Sequence, residues 1–327
     1  MTLKDIYPKF LEFKKTRMKP SSLACYAASY ERWIEPYFGD EDVSEGIDNK
    51  KVNLFVEHLL SKGLAKKSAD SVKVALGAIM TFANIEWDIP RPTWKIYWPS
   101  ENMTGKRKIK FFTKEECKKV FKLMDDEPDP RLLGIVIGLT TGMRIGEICG
   151  LRFSDIDFET NTIHVQRTIE RCRLIAGIDV ANEELAYTKH NRPKKRNSVV
   201  LVSSAKTASS NRIVPLAKLP RKWLKLYMKV AENKESYCIT LRGNVLEARN
   251  YRNYYYKVLE RLELPALNPH CMRHTFATQM LHSNVDVATI ASILGHSSPA
   301  VTLEIYSHTN EEEKAKAVSR VFGKLFQ

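Results

Sequence analysis

The sequence of 327 residues predicts a mainly α-helical chain with a small antiparallel β-sheet in its second half, an α+β fold in two domains. Three observations carry this reading. Residues 1–87 keep apolar positions at helical spacing between capping and breaking signals. A proline-interrupted, strongly basic stretch at 88–112 then breaks every periodicity. Helical runs resume beyond it, but 162–166, 199–202 and 212–216 alternate or run apolar over strand lengths.

In chain order, Thr2 and Asp5 make a capping box, and Ile6, Phe10 and Phe13 recur on one helical face. A second helix starts near Ser21-Ser22, carries Leu23, Tyr26, Tyr30, Trp33 and Ile34, and breaks at Gly39-Asp40. A third runs from about 49 to 60 and ends at Gly63; a fourth runs from about 68 to 84 with Val72, Leu76, Ile79, Met80 and Phe82. Helices of this length and spacing make a small bundle. Its charge is nearly balanced apart from clusters such as Lys66-Lys67, each of which reads equally well as a solvated face. Pro90, Pro92 and Pro99 then impose extended backbone, and Lys106-Arg107-Lys108 with Lys110 form a dense basic run. That run suits a clamp on a polyanion or a soluble spacer.

The second domain opens with Thr113 and Glu116 as another capping box, leading a helix with Val120, Phe121 and Met124. Asp129-Pro130 starts a helix whose Leu132, Leu133, Ile135, Val136, Ile137 and Leu139 read as wholly buried, ending at Thr140-Thr141-Gly142. Arg144 follows this core segment, where an arginine is rarely buried without an anion, and Glu147 lies one helical turn on. The strands 199–202 and 212–216 are joined by a polar turn, 203–211, that contains Lys206. The connection 171–198 is long and carries Lys194, Lys195 and Arg196. Helices resume at 220–231 and 248–262, the second with Tyr251, Tyr254, Tyr255 and Tyr256. Asn310 and Glu313 cap a last helix with Val318, Val321, Phe322 and Leu325 on its apolar stripe.

The net charge of +14 favours a polyanionic partner. No apolar run reaches the roughly 18 residues of a membrane span, and the N-terminus lacks a signal-peptide core. The six cysteines are scattered without a CxxC pair, which argues against a zinc site or disulfide framework and fits a reducing cytoplasm.

The most informative stretch is 270–306. His270 and Arg273, at i and i+3, project from one helical face behind Pro269. The run 287–294 ends at Gly295, a left-handed cap, and His296 follows at once, with Tyr306 ten residues later. An imidazole, a guanidinium, a second imidazole and a phenol in one small volume suit a phosphoryl group under attack by the phenol.

Taken together, Thr141-Gly142-Met143-Arg144-Ile145-Gly146-Glu147, Lys206-Thr207 with Arg212-Ile213-Val214-Pro215-Leu216, His270-Cys271-Met272-Arg273-His274, Leu294-Gly295-His296 and Tyr306 resemble the tyrosine recombinase, or phage integrase, family. They stand in the family's order from about residue 113 onward, and the style of the sequence is most similar to integrases of phages and conjugative transposons. The resemblance implies a helical core-binding domain at 1–87, a basic interdomain linker at 88–112, a catalytic domain at 113–309 and a tail at 310–327 that docks on a neighbouring protomer. It implies that Tyr306 attacks a DNA phosphate and that Arg144 and Arg273 hold the non-bridging oxygens. By the same resemblance Lys206 would protonate the leaving group, and His270 and His296 would assist proton transfer and phosphate binding. His274 and His308 are read as structural, and Glu147 as the partner that positions Arg144. No metal and no cofactor is implied, because the arginines supply the positive charge. The implied partner is double-stranded DNA carrying recombination sites, bound by a homotetramer, with room for accessory DNA-bending or excision factors. Lys106, Arg107, Lys108, Lys110, Lys194, Lys195 and Arg196 are the expected DNA-contacting cations.

Cytoplasmic action at the nucleoid follows, in integration or excision of a mobile element. A type IB topoisomerase-like enzyme, or a resolving or inverting recombinase, would use the same chemistry. The chain opens directly on the bundle, leaving no room for the arm-binding domain many integrases carry ahead of it. The expectation is a protein for simple sites, or a piece of a longer one.

Overall fold

The computed structural model describes residues 1–91, 93–99, 110–174, 184–186, 198–204, 211–241, 244–296 and 298. Lys106, Arg107, Lys108, Lys194, Lys195, Arg196, Lys206, Tyr306, His308 and the 310–327 tail lie outside them. The chain divides into two units: Met1–Lys106 with Arg171–Glu183 and Pro193–Val199, and Arg107–Glu170 with Glu184–Arg192 and Val200–Gln327.

The first unit is the expected bundle. Helix α1 (Leu3–Lys15) has both halves of the Thr2–Asp5 capping box. Helix α2 (Pro20–Ser29) begins on a proline at its first position, passes through a π-helical turn at Tyr30–Ile34 and continues as α3 (Glu35–Phe38). Helix α4 (Asn49–Ser61) is capped by Asp48, and α5 (Lys66–Trp87) runs longer than its apolar periodicity alone indicates. Phe10, Phe55, Leu59, Leu76 and Met80 are fully buried between them. The Tyr7 and Tyr30 rings stack with centroids 3.5 Å apart, and Phe10 and Phe13 both meet Phe82. Residues 93–99 form neither helix nor strand, yet they are laced to the bundle. Asn53 Nδ2 donates to the Lys95 carbonyl, the Lys95 and Tyr97 amides donate to Asn49 and Asn53, and Trp94 Nε1 donates to the Ile47 carbonyl.

The second unit is organised round α7 (Pro130–Thr141), whose Leu132, Leu133, Ile135, Val136 and Ile137 are almost wholly excluded from solvent. Each such side chain contributes about 1.5–3 kcal/mol on burial. It follows α6 (Lys114–Asp126), which has the complete Thr113–Glu116 capping box, and precedes the short α8 (Ile145–Cys149). The strands come next: β1 (Ile156–Asp157), β2 (Thr162–Val165), β3 (Arg167–Arg173), β4 (Glu184–Leu185), β5 (Ser198–Ser204) and β6 (Arg212–Pro215). Helix α9 (Lys218–Val230), the β7 (Thr240–Leu241) and β8 (Asn244–Val245) hairpin, α10 (Ala248–Arg261), α11 (His270–His282) and α12 (Val287–Leu294) complete the described chain. Helices α6, α9, α10 and α11 all pack on α7.

One expectation about the strands is corrected. The sequence pattern joins the strands flanking Lys206 across one turn, but β5 and β6 lie in different sheets. Strand β6 pairs antiparallel with β2, Ile163 opposite Val214 and Val165 opposite Arg212, while β5 lies between β3 and β4. Ile163 and Val165 of β2, Val200 and Val202 of β5 and Val214 of β6 all enter one hydrophobic core, so the apolar pattern of each strand does not by itself choose its sheet. Gln166 separates β2 from β3, so the chain changes sheet there, and residues 205–211 lie between β5 and β6 in sequence.

Candidate active site

Helix ends α7, α8, α11 and α12 and the start of β6 place the charged groups of the second unit. Helix α7 closes on Gly142, which takes the left-handed conformation at φ 66°. A Cβ at Gly142 would also stand 2.5 Å from Leu294 Cδ2, so only glycine lets α12 come this close. The tight turn makes Arg144 the N-cap of α8. Helix α11 begins at His270, whose amide donates to Asn268 Oδ1 at 2.9 Å, and it carries Arg273 one turn further in. Helix α12 ends on Gly295 at φ 67°, and the His296 amide donates back to the Ala291 carbonyl at 3.0 Å. The helix stop at Gly142 and the cap expected at Gly295 thus deliver Arg144 and His296.

Glu147 is the hub. It accepts the Arg144 amide on Oε2 at 2.8 Å and Arg144 Nη1 on Oε1 at 2.9 Å, as its spacing one turn on suggests. It also accepts Arg212 Nη1 on Oε1 at 3.1 Å and Nη2 on Oε2 at 2.9 Å. Four donors fill the roughly four lone-pair positions of a carboxylate. Burial alone would raise this carboxyl, but Arg212 and then Arg144 outweigh it and hold it below the usual carboxylate range.

The two catalytic candidates among the arginines differ in exposure, and not as the sequence suggests. The sequence marks Arg144 as the arginine at risk of burial; its side chain is 39% exposed. Arg273 is the buried one, at 2%, with Nη1 donating to the Gly142 carbonyl at 3.0 Å. The reason is position. Arg273 stands among Met272, Thr275 and Phe276 on the inward face of α11, while Arg144 sits at a loop–helix junction. Arg144 Nη2 approaches the Gly295 carbonyl at 3.5 Å, which brings the α8 cap beside His296.

An open cleft of about 530 Å³ lies against Arg144 and His270 and is walled by Ile145, Asn268, Arg252 and Tyr256. His270 meets His274 edge to face with ring centroids 4.8 Å apart. Both expected active-site imidazoles are held neutral at neutral pH. His270 is pushed down to about 4 by desolvation first, then by His274, Arg273 and Arg144. His296 is pushed down to about 4 by desolvation first, then by Arg273, Arg144, His270 and Arg212. These six groups thus share one electrostatic neighbourhood. Three guanidiniums against one carboxylate leave it strongly positive, a place for a tetrahedral oxyanion. The structure therefore brings together Arg144, Glu147, His270, Arg273 and His296 of the expected set, while Lys206 and Tyr306 lie outside the described residues. Of the expected DNA-contacting cations only Lys110 is described, and it is exposed.

Two further residues belong to the site. In sequence Arg212 is only part of a strand, yet the alternation that puts Val214 and Leu216 on the buried face puts Arg212 there too and turns Ile213 outward, 65% exposed. An arginine in the buried register was the available signal. Arg252, on the cleft wall, stands among the tyrosines of α10 with no local pattern to single it out.

Residues 110–313 match the model of the phage integrase family. A relative described as a XerC-like tyrosine recombinase, from Caldanaerobacter subterraneus subsp. tengcongensis, is 28% identical over 344 aligned positions, covering 97% of this chain and 82% of its own. The ICEBs1 integrase of Bacillus subtilis is 25% identical, covering 84% of this chain and 70% of its own. The fold is shared with the Tn1549 transposon integrase solved in complex with transposon right end DNA, at a TM-score of 0.74 and 20% identity over 98% of this chain and 99% of that one. This chain therefore belongs to the phage integrase family: it is a site-specific tyrosine recombinase, an enzyme that cuts and rejoins DNA strands.

Proposed function

We propose that this recombinase cuts DNA through Tyr306, on a phosphate held between Arg144 and Arg273. The observation that carries the reading is the convergence of Arg144, Arg273, His270 and His296 at the ends of three helices, with both imidazoles neutral. The Tyr306 oxygen forms a bond to phosphorus as the bond to the 5′ oxygen breaks, leaving a 3′-phosphotyrosyl link and a free 5′ hydroxyl. A phenol with a pKa near ~10 is a poor nucleophile at neutral pH; the surrounding cations favour its oxyanion. The forked guanidiniums take the non-bridging oxygens and stabilise the charge that grows on them. A neutral His270 can accept the tyrosine proton, His296 can donate to the phosphate, and Lys206 supplies the proton of the leaving hydroxyl. General-acid assistance of this kind is worth about 10²–10⁴-fold. Rejoining runs the same step backwards with a 5′ hydroxyl from the partner strand.

In this reading residues 1–87 serve as the core-binding domain, 88–112 as a basic linker, 113–309 as the catalytic domain and 310–327 as a tail exchanged within a homotetramer on paired sites. Lys106, Arg107, Lys108, Lys110, Lys194, Lys195 and Arg196 contact phosphates. Its role is integration or excision of a mobile element, which the likeness to a transposon integrase and to the ICEBs1 integrase supports. The XerC-like relative supports the second reading, resolution of joined DNA by the same chemistry. A nicked suicide substrate in EDTA tests the nucleophile. The wild type is expected to give an SDS-resistant adduct and Tyr306→Phe none, with DNA binding unchanged; an adduct with the phenylalanine variant sinks the assignment.

A further inference from the structure

A carboxylate clamped onto a phosphate-binding arginine is a liability. Glu147 orients Arg144 through its amide and Nη1, but a single negative charge at that distance also cancels the charge Arg144 offers to an incoming phosphate. The structure places a second guanidinium on the far side of the same carboxylate. Arg212 is fully committed there: Nη1 and Nη2 fork onto Glu147, and Nε donates to the Ile293 carbonyl at 2.6 Å, one turn before His296. Its side chain is 6% exposed and that of Glu147 7%, against 39% for Arg144. Arg212 therefore cannot reach into the cleft as Arg144 does.

We propose that Arg212 is a positioning residue for strand cleavage: it neutralises Glu147 from behind, so that Glu147 can fix Arg144 in place without cancelling the charge Arg144 presents to the phosphate. The Arg144–Glu147–Arg212 row carries one net positive charge, and that charge is exposed only at the Arg144 end. The same guanidinium fixes the carbonyl of Ile293, and so ties the approach to His296 to the start of the strand that follows the Lys206 segment in sequence. This rests on the assignment of Arg144 to the scissile phosphate.

The experiment is single-turnover cleavage of a nicked suicide substrate at saturating protein, well below the melting temperature, with Tm and DNA affinity measured alongside. Arg212→Gln is expected to slow cleavage roughly tenfold or more while affinity changes little. Glu147→Gln added to Arg212→Gln is expected to recover at least about threefold, because the uncompensated carboxylate is gone. A support role alone would lower Tm in Arg212→Gln and leave the cleavage rate of the folded protein at the wild-type value; that result, or a double variant no faster than Arg212→Gln, overturns the proposal. If Arg212→Gln does not fold, Arg212→Lys decides. It keeps the charge without the fork and should cleave within about threefold of wild type, whereas a rate as low as that of Arg144→Lys overturns the proposal. Wild-type protein giving no Tyr306 adduct would instead sink the parent reading, a result visible before any Arg212 variant is compared.

Discussion

The two units differ in the charge they bury. In the first, ion pairs such as Lys4–Asp40 and Lys15–Glu12 lie on solvated helix faces, where water screens them and they contribute little to stability. Its core is apolar and aromatic, and its capping box uses charge only at an exposed helix end. In the second, Glu147, Arg212 and Arg273 are taken out of water and given fixed partners. Removing one partner of such a buried pair costs about 3–5 kcal/mol, so these positions tolerate little change. The lesson is a division of labour. Mobile surface cations suit a sequence-independent grip on a phosphate backbone, whereas immobilised cations can be aimed at one phosphorus atom.

The largest effect that would sharpen this contrast comes from Arg144 and Arg273, the two guanidiniums proposed to hold the phosphate. Arg144→Lys and Arg273→Lys keep a charge and lose the fork, and each is expected to slow cleavage by roughly 10²-fold with a much smaller change in binding. The pair should then part company in a thermal melt. Arg273→Lys leaves the Gly142 carbonyl short of a buried donor and should cost about 1–3 kcal/mol, while the half-exposed Arg144→Lys should melt close to wild type. Equal losses of binding and cleavage would demote both residues to simple docking.

Neutralising Lys106, Arg107, Lys108 and Lys110 should leave the chemistry alone and lower the slope of log K against log salt by ~0.9 for each phosphate that is no longer neutralised. Binding titrations between low and moderate salt read this directly, and an unchanged slope makes the run a solvated spacer.

The smallest effect is on stability against pH. His270 and His296 have pKa values near 4 in the folded chain, below the ~6.5 of an unfolded imidazole. The unfolded state therefore binds more protons below pH ~6.5, so their contribution is intact above that value and is lost as the pH falls towards 4. Urea midpoints at pH 7 and pH 5 should fall further for wild type than for a His270→Asn, His296→Asn double variant; parallel losses would mean that these rings are not held neutral by the cluster.

Much of this is legible in the residues. Capping boxes at Thr2–Asp5 and Thr113–Glu116, the helix stop at Gly142, the left-handed cap at Gly295, and the i, i+3 pair His270–Arg273 are local chemistry, and the structure has each of them in place. What is not legible depends on distant partners. The exchange of sheets at Gln166 is encoded by no single strand, because the apolar residues of β2, β5 and β6 all serve one core. The burial of Arg273 rather than Arg144 follows from the packing of α11 on α7. Arg212 lies between these cases: alternation puts it on the buried face, but only the fold shows the carboxylate, 65 residues back in the chain, that makes the position tolerable.

The division of labour is tested most directly by single-turnover cleavage of a suicide substrate, followed to saturation in protein for two variants. One is Arg144→Lys; the other neutralises Lys106, Arg107, Lys108 and Lys110 together. The account predicts that the basic-run variant needs more protein but reaches the wild-type rate at saturation, while Arg144→Lys saturates normally at a rate lower by roughly 10²-fold. A basic-run variant that stays slow at saturation, or an Arg144→Lys protein that reaches the wild-type rate, would contradict it.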